Sequence, residues 1–317
     1  MIRTTIFLIG LLAATRVMAL PGATAGASAI RSSTPNLAHP VVLGGQPVQP
    51  GPGRDRQLDN LLRSASVRIL QARKVGGMSA APEFVCSGTL TSTSRVVTSG
   101  HCFDKQRLTG DEAGEYLVEI TDPRTGQKTT IPLSRVTTAC GRDVPSYDNS
   151  CDVAVGVLSR PAGAVRPIPV CDPGGNYENG RTVMVGSGIS NEDPSGDNSP
   201  LRYLDLGYTV DNNGRTLSAR PDNVNRPCGG DSGGGIIHYD GSKACLRGVH
   251  RASTVNRAEV SGIERCKKAE SPYTFGVHLT GRQHLIETLA NGQTPNDDDV
   301  RGTGPANLSR RPVPGAR

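Results

Sequence analysis

The chain contains no tryptophan, and aromatic residues make up only 3% of it, so it has no aromatic platform on which nucleic-acid bases could stack. It has no arginine-rich arm. Its net charge of +6 is dispersed and reads as a solvated surface, so nucleic acid is not expected as a partner. No C-x-x-C pair occurs among its eight cysteines, which makes zinc a poor reading, and no metal or cofactor is expected. Beyond the first residues there is no apolar run long enough to span a membrane, so no stable membrane association is expected.

What the chain does have is turns: 39 glycines and 23 prolines suit many short strands joined by tight loops. It opens Met1-Ile2-Arg3, followed by an apolar run from Ile6 to Ala14 and small residues at Ala19 and Ala23-Thr24-Ala25. That pattern reads as a secretory signal peptide over residues 1–25, with Arg16 an unusual interruption. An even cysteine count behind such a segment implies disulfides in a secreted or periplasmic protein. Residues 26–62, rich in Ala, Ser, Pro and Gly, read as a propeptide or linker, with 54–62 forming a short amphipathic helix. Residues 63–292 form the expected folded domain. Short apolar segments such as 66–70, 116–120, 153–158, 181–185 and 246–249 alternate with Gly/Pro/Asp/Asn loops, which predicts an antiparallel barrel or sandwich. A helix is predicted over 284–290, and residues 293–317 read as a disordered tail.

Three motifs carry chemistry. Cys228-Gly229-Gly230-Asp231-Ser232-Gly233-Gly234-Gly235 sets a serine among glycines, which allow a tight turn and close substrate approach. Its Gly230 and Ser232 N–H groups would stabilise an oxyanion. Val96-Val97-Thr98-Ser99-Gly100-His101-Cys102 is an apolar strand ending in a histidine. Cys151-Asp152-Val153-Ala154-Val155 is an aspartate opening a second apolar run, with Asp143 and Asp148 nearby. The polar residues 220–227 before Ser232 cannot form a buried strand, so the nucleophile elbow of an α/β-hydrolase is disfavoured.

In this order, His101, Asp152, Ser232, the chain resembles the chymotrypsin-like (trypsin-like) serine proteases from about residue 63 to about residue 291. The resemblance implies an all-β fold of two six-stranded antiparallel barrels with a C-terminal helix. It implies a monomeric endopeptidase acting on protein or peptide substrates, with Ser232 as nucleophile, His101 as base and Asp152 orienting it. It implies a Cys86–Cys102 bond across the histidine loop and a Cys228–Cys266 bond framing the specificity pocket. Cys140 and Cys151 are close enough in sequence to bridge, and Cys171 with Cys245 is left by elimination. In the family a freed N-terminus pairs with the carboxylate preceding the nucleophile. Here Asp231 is present and Val41-Val42-Leu43-Gly44-Gly45 looks loosely like that start, but Pro40 stands where a basic residue would be cut.

Two departures bear on substrate choice. Arg251-Ala252-Ser253 replaces the Ser-Trp-Gly common in the family. Arg226 lies six residues before Ser232, at the base of the primary pocket, where members that cut after Lys or Arg carry aspartate. Gly248-Val249-His250 resembles the G-[IV]-H of glutamyl endopeptidases. Arg226, His250 and, as a third wall, His278 are therefore expected to receive an acidic side chain. The alternatives are a protease of other specificity and a catalytically silent binding protein on the same fold.

Overall fold

The structure is a computed structural model that describes residues 45–48, 55–75, 78–103, 105–140, 149–188, 200–211, 213–222, 225–253, 266, 273–296 and 299–300. The predicted signal peptide, 1–25, lies outside them.

Fifteen strands form two antiparallel sheets among the described residues. The first sheet contains β2 (Ser66–Val75), β3 (Met78–Ser92), β4 (Arg95–Thr98), β5 (Arg107–Thr109), β6 (Tyr116–Thr121), β7 (Lys128–Thr138) and β8 (Ala154–Leu158). β6 alternates buried and half-buried residues along its length, the period of a strand with one face on a core. β7 pairs with β6 on one side and β8 on the other, which closes a six-strand barrel with β5 appended. Its interior is filled by Ile69, Leu90, Val96, Val118, Ile131 and Val136.

The second sheet contains β1 (Gln46–Pro47), β9 (Arg181–Gly186), β10 (Arg202–Asp205), β11 (Thr209–Val210), β12 (Thr216–Ala219), β13 (Gly235–Tyr239), β14 (Ala244–Ser253) and β15 (Thr274–His278). Its order is β1-β10-β9-β13-β14-β15-β12-β11, a curled half-barrel with β1 and β11 at its edges. Met184, Leu217 and Ile236 pack inside it. Its other large core joins the two sheets: Val97 and Val155 from the first, with Val153 just before β8, meet Val183, Ile237 and Val249 from the second. The C-terminal helix (Gln283–Ala290) buries Leu285, Ile286 and Leu289 in this shared core. The arrangement is the chymotrypsin-like fold that the sequence motifs imply.

Among the described residues, two elements precede residue 66. A helix spans Arg56–Ala65, and its Leu58 and Leu62 are fully buried in the shared core. β1 pairs with β10, Pro47 opposite Arg202. The last part of the stretch read as propeptide or linker, 26–62, thus packs its apolar helix face on the core. The tail is also partly packed: Arg282 donates to the Val300 carbonyl at 3.3 Å, and Val300 lies on the shared core. Residues 301–317 lie outside the described ones.

The eight cysteines form four disulfides: Cys86–Cys102, Cys140–Cys151, Cys171–Cys245 and Cys228–Cys266. Among the described residues no helix is long and apolar enough to cross a membrane.

Candidate active site

His101 sits in a single turn of 3-10 helix, Gly100–Cys102, that follows β4 directly. The Cys86–Cys102 disulfide pins that turn to β3. Asp152 follows Cys151, whose disulfide to Cys140 fixes the other side of the chain, and β8 begins two residues later. β4 and β8 are neighbours, with Thr98 opposite Ala154, so the two loops leave the barrel side by side. The Asp152 carboxylate grips His101 twice. Its Oδ1 accepts the His101 backbone N–H at 2.8 Å, and its Oδ2 lies 2.7 Å from Nδ1, where the ring N–H donates. This fixes the imidazole tautomer and leaves Nε2 free of the aspartate. Asp143 and Asp148 lie outside the described residues.

Burial works to raise the Asp152 carboxyl. The hydrogen bonds and charge of His101, and the Arg251 guanidinium behind them, outweigh it and hold the group below the ordinary carboxylate value. Arg251 Nε lies 3.0 Å from Asp152 Oδ2, an ion pair rather than an aligned hydrogen bond. The His101 side chain keeps 41% of its surface exposed, so solvent or a substrate can reach it.

Ser232 comes from the second sheet, on the turn that leads into β13. That turn is bound to the first barrel by a set of short bonds. The Ser87 N–H donates to the Ser232 carbonyl at 2.8 Å, and Ser87 Oγ donates to the Gly230 carbonyl at 2.9 Å. One acceptor serves both halves: the His250 carbonyl takes the Gly233 N–H and the Ser99 Oγ–H, each at 2.8 Å. Ser99 lies two residues before His101, and Gly233 directly follows Ser232, so this single carbonyl holds the histidine and serine turns together. Gly233 has φ +81°, and a Cβ there would fall on Thr98 Oγ1 and the Ser87 carbonyl, which is why the turn needs glycine.

The Ser232 hydroxyl donates to the Arg251 carbonyl at 3.2 Å. Gly230 has φ +83°, and neither it nor Ser232 donates its backbone N–H to another described residue. Between them, Asp231 is fully buried. It accepts the Cys228 and Gly188 N–H groups, each at 2.8 Å, and burial pushes its carboxyl up to about 7 against those two bonds.

Arg226, His250 and His278 are the residues expected to read the substrate. Arg226 is 1% exposed; burial lowers its proton affinity and the charge of Asp222 opposes that. His250 is equally buried, with Nδ1 3.1 Å from Thr274 Oγ1, and burial pushes its ring down to about 3, so it is neutral. His278 Nδ1 meets the Gly214 carbonyl at 2.9 Å, by the turn between β11 and β12, with Arg282, Arg247 and Asp211 for charged neighbours. β14 and β15 are paired, with Gly248 opposite His278 and His250 opposite Gly276, so the two histidines lie diagonally on one face of the sheet. Conversely, the Arg251 side chain at Asp152 went unread in the sequence, where it stood only as a departure from a motif.

Cys86, His101 and Cys102 cluster closely enough to suggest a metal, but both cysteine sulfurs are committed to their disulfide. A comparison with curated proteins finds no match for the chain. Over residues 63–284 it matches the protein-family model described as Trypsin, a span well over half its length. With that match and the two sheets, the chain belongs to the trypsin family and is a serine protease of the chymotrypsin type.

Proposed function

We propose that the protein is a secreted endopeptidase in which Ser232, His101 and Asp152 form the catalytic triad. The observation that carries this is the pair of bonds from Asp152 to His101, within a loop tied through the His250 carbonyl to the turn of Ser232. In the first step the Ser232 Oγ attacks the peptide carbonyl carbon and its proton passes to His101 Nε2. Negative charge then develops on the former carbonyl oxygen, where the Gly230 and Ser232 N–H groups receive it. Collapse breaks the C–N bond, and His101 returns the proton to the leaving amine. Water, activated by the same imidazole, hydrolyses the acyl-enzyme. Asp152 holds the tautomer and balances the imidazolium without being protonated itself.

Four disulfides support an extracellular, oxidising setting. Activation is proposed to follow cleavage near Val41 or Val42, the new ammonium neutralising Asp231. Support comes from β1, which starts a few residues downstream and lies in one row of partners, Pro47, Arg202 and Gly186, the last packed against Asp231. An acidic side chain before the scissile bond is the proposed preference. Arg226 supports it, since a buried cation beside the Cys228 turn suits a carboxylate and repels Lys or Arg.

The test is labelling by a fluorophosphonate probe, with peptide panels on the same preparation. Wild-type protein is expected to label, and Ser232→Ala is expected to abolish labelling and hydrolysis. A mutant that still labels and cleaves refutes the triad; a folded wild type that never labels favours a silent binding protein. Faster cleavage after Lys or Arg than after Glu or Asp refutes the specificity and leaves the triad standing.

A further inference from the structure

We propose that Arg251 is a positioning residue for the His101–Asp152 pair, a fixed cation that shares the aspartate with the histidine and sets the pH range of catalysis. The proposal rests on the triad reading above.

The geometry is specific. Asp152 Oδ2 has two cationic or donor neighbours: His101 Nδ1 at 2.7 Å and Arg251 Nε at 3.0 Å. Its other oxygen is taken by the His101 backbone N–H. The carboxylate is therefore held from three directions, and its side chain is only 11% exposed. Arg251 itself is not loose, since its side chain is 19% exposed and its backbone lies in β14 immediately after His250. Its carbonyl meanwhile receives the Ser232 hydroxyl at 3.2 Å. One residue thus touches the nucleophile with its main chain and the aspartate with its side chain.

A guanidinium keeps its charge across the working pH range of any protein, unlike a hydroxyl or an imidazole. At this distance it has two effects with one sign. It keeps Asp152 ionised in acid, and it opposes the second positive charge that appears when His101 binds a proton. The charged and titratable groups described around the pair are Asp152, Arg251 and His250, and His250 is held neutral by burial. Arg251 is consequently the one permanent cation in this set. Removing it leaves Asp152 paired with the histidine alone, a balance that favours the imidazolium. The acid limb of the activity profile then moves to higher pH, on the order of one unit for a charge at this separation in a partly solvated site.

The experiment compares wild type with Arg251→Met, which removes the charge at similar length, and Arg251→Lys, which keeps it. Fluorophosphonate labelling of Ser232 is run first on each, so that failure of the triad is seen separately from failure of this proposal. The readouts are kcat, KM and the pH midpoint of kcat/KM on one peptide. The expected result for R251M is a midpoint raised by about half a unit to one unit and a loss carried mainly by kcat, with R251K returning the midpoint toward wild type. If R251M does not fold, Arg251→Gln takes its place. Normal labelling with a neutral variant whose midpoint matches wild type overturns the proposal, as does a loss found entirely in KM.

Discussion

Asp231 gives the sharpest test of the interior electrostatics. The perturbation is Asp231→Asn, made in a Ser232→Ala background to prevent self-digestion. Burial raises this carboxyl from 3.8 to about 7, so the folded protein holds its proton more tightly than the unfolded chain does. The stabilising contribution of the protonated form is complete below about pH 4. It is lost as pH rises to about 7, where the buried group must ionise. A shift of about three units corresponds to about 4 kcal/mol over that window. Asparagine cannot titrate, so the variant lacks this slope. It has one acceptor oxygen for the two N–H donors of Cys228 and Gly188, and it starts about 1–3 kcal/mol less stable at pH 4. The gap between the proteins is expected to close and then reverse by pH 8. Urea denaturation followed by circular dichroism at unit pH steps, with disulfides intact, measures it. Parallel stability curves from pH 4 to 8 would refute the reasoning. Running the same series after processing near Val42 separates the two states of the chain, since an ammonium at Asp231 is expected to abolish the wild-type slope.

Other consequences are simpler to check. Replacing Cys86 and Cys102 by serine opens a loop of sequence separation 16 and is expected to cost about 3 kcal/mol in thermal or chemical unfolding; an unchanged midpoint contradicts it. Gly233→Ala drives a Cβ into Thr98 Oγ1 and the Ser87 carbonyl, so little folded protein is expected. Gly241→Ala, at φ +97° with open space around it, costs only about 1–2 kcal/mol. Equal effects of the two would mean that backbone angle alone decides. Leu62→Ala is expected to lose about 2–5 kcal/mol, because Leu62 is fully buried between the sheets. A loss under 1 kcal/mol would return the helix to the status of a linker.

Much of this was legible in the sequence, for local reasons. Strand β6 is written in period two, and the glycines around Ser232 declare a turn that tolerates no side chain. The motifs around His101, Asp152 and Ser232 gave the family. Other features depend on partners far along the chain. The helix at 56–65 has the pattern of any short amphipathic segment, and only the converging valines of both sheets make Leu58 and Leu62 indispensable. Arg251 sits on a strand whose register is irregular between His250 and Ala252, so alternation could not tell where its side chain points. His278 shares a spelling, Gly-Val-His, with His250, but only the pairing of β14 with β15 shows that the two lie on one face of the sheet, with His278 bonded to the Gly214 carbonyl.

The division of the site between two sheets has a consequence for the order in which the protein becomes dangerous to its neighbours. His101 and Asp152 belong to the sheet that emerges first during synthesis, strands 66–158, while Ser232 and the His250 carbonyl arrive only with the last third of the chain. A fragment that ends before β14 lacks the His250 carbonyl that ties the His101 and Ser232 turns together. Under the proposed triad, hydrolytic competence is expected to start only after β14 has docked.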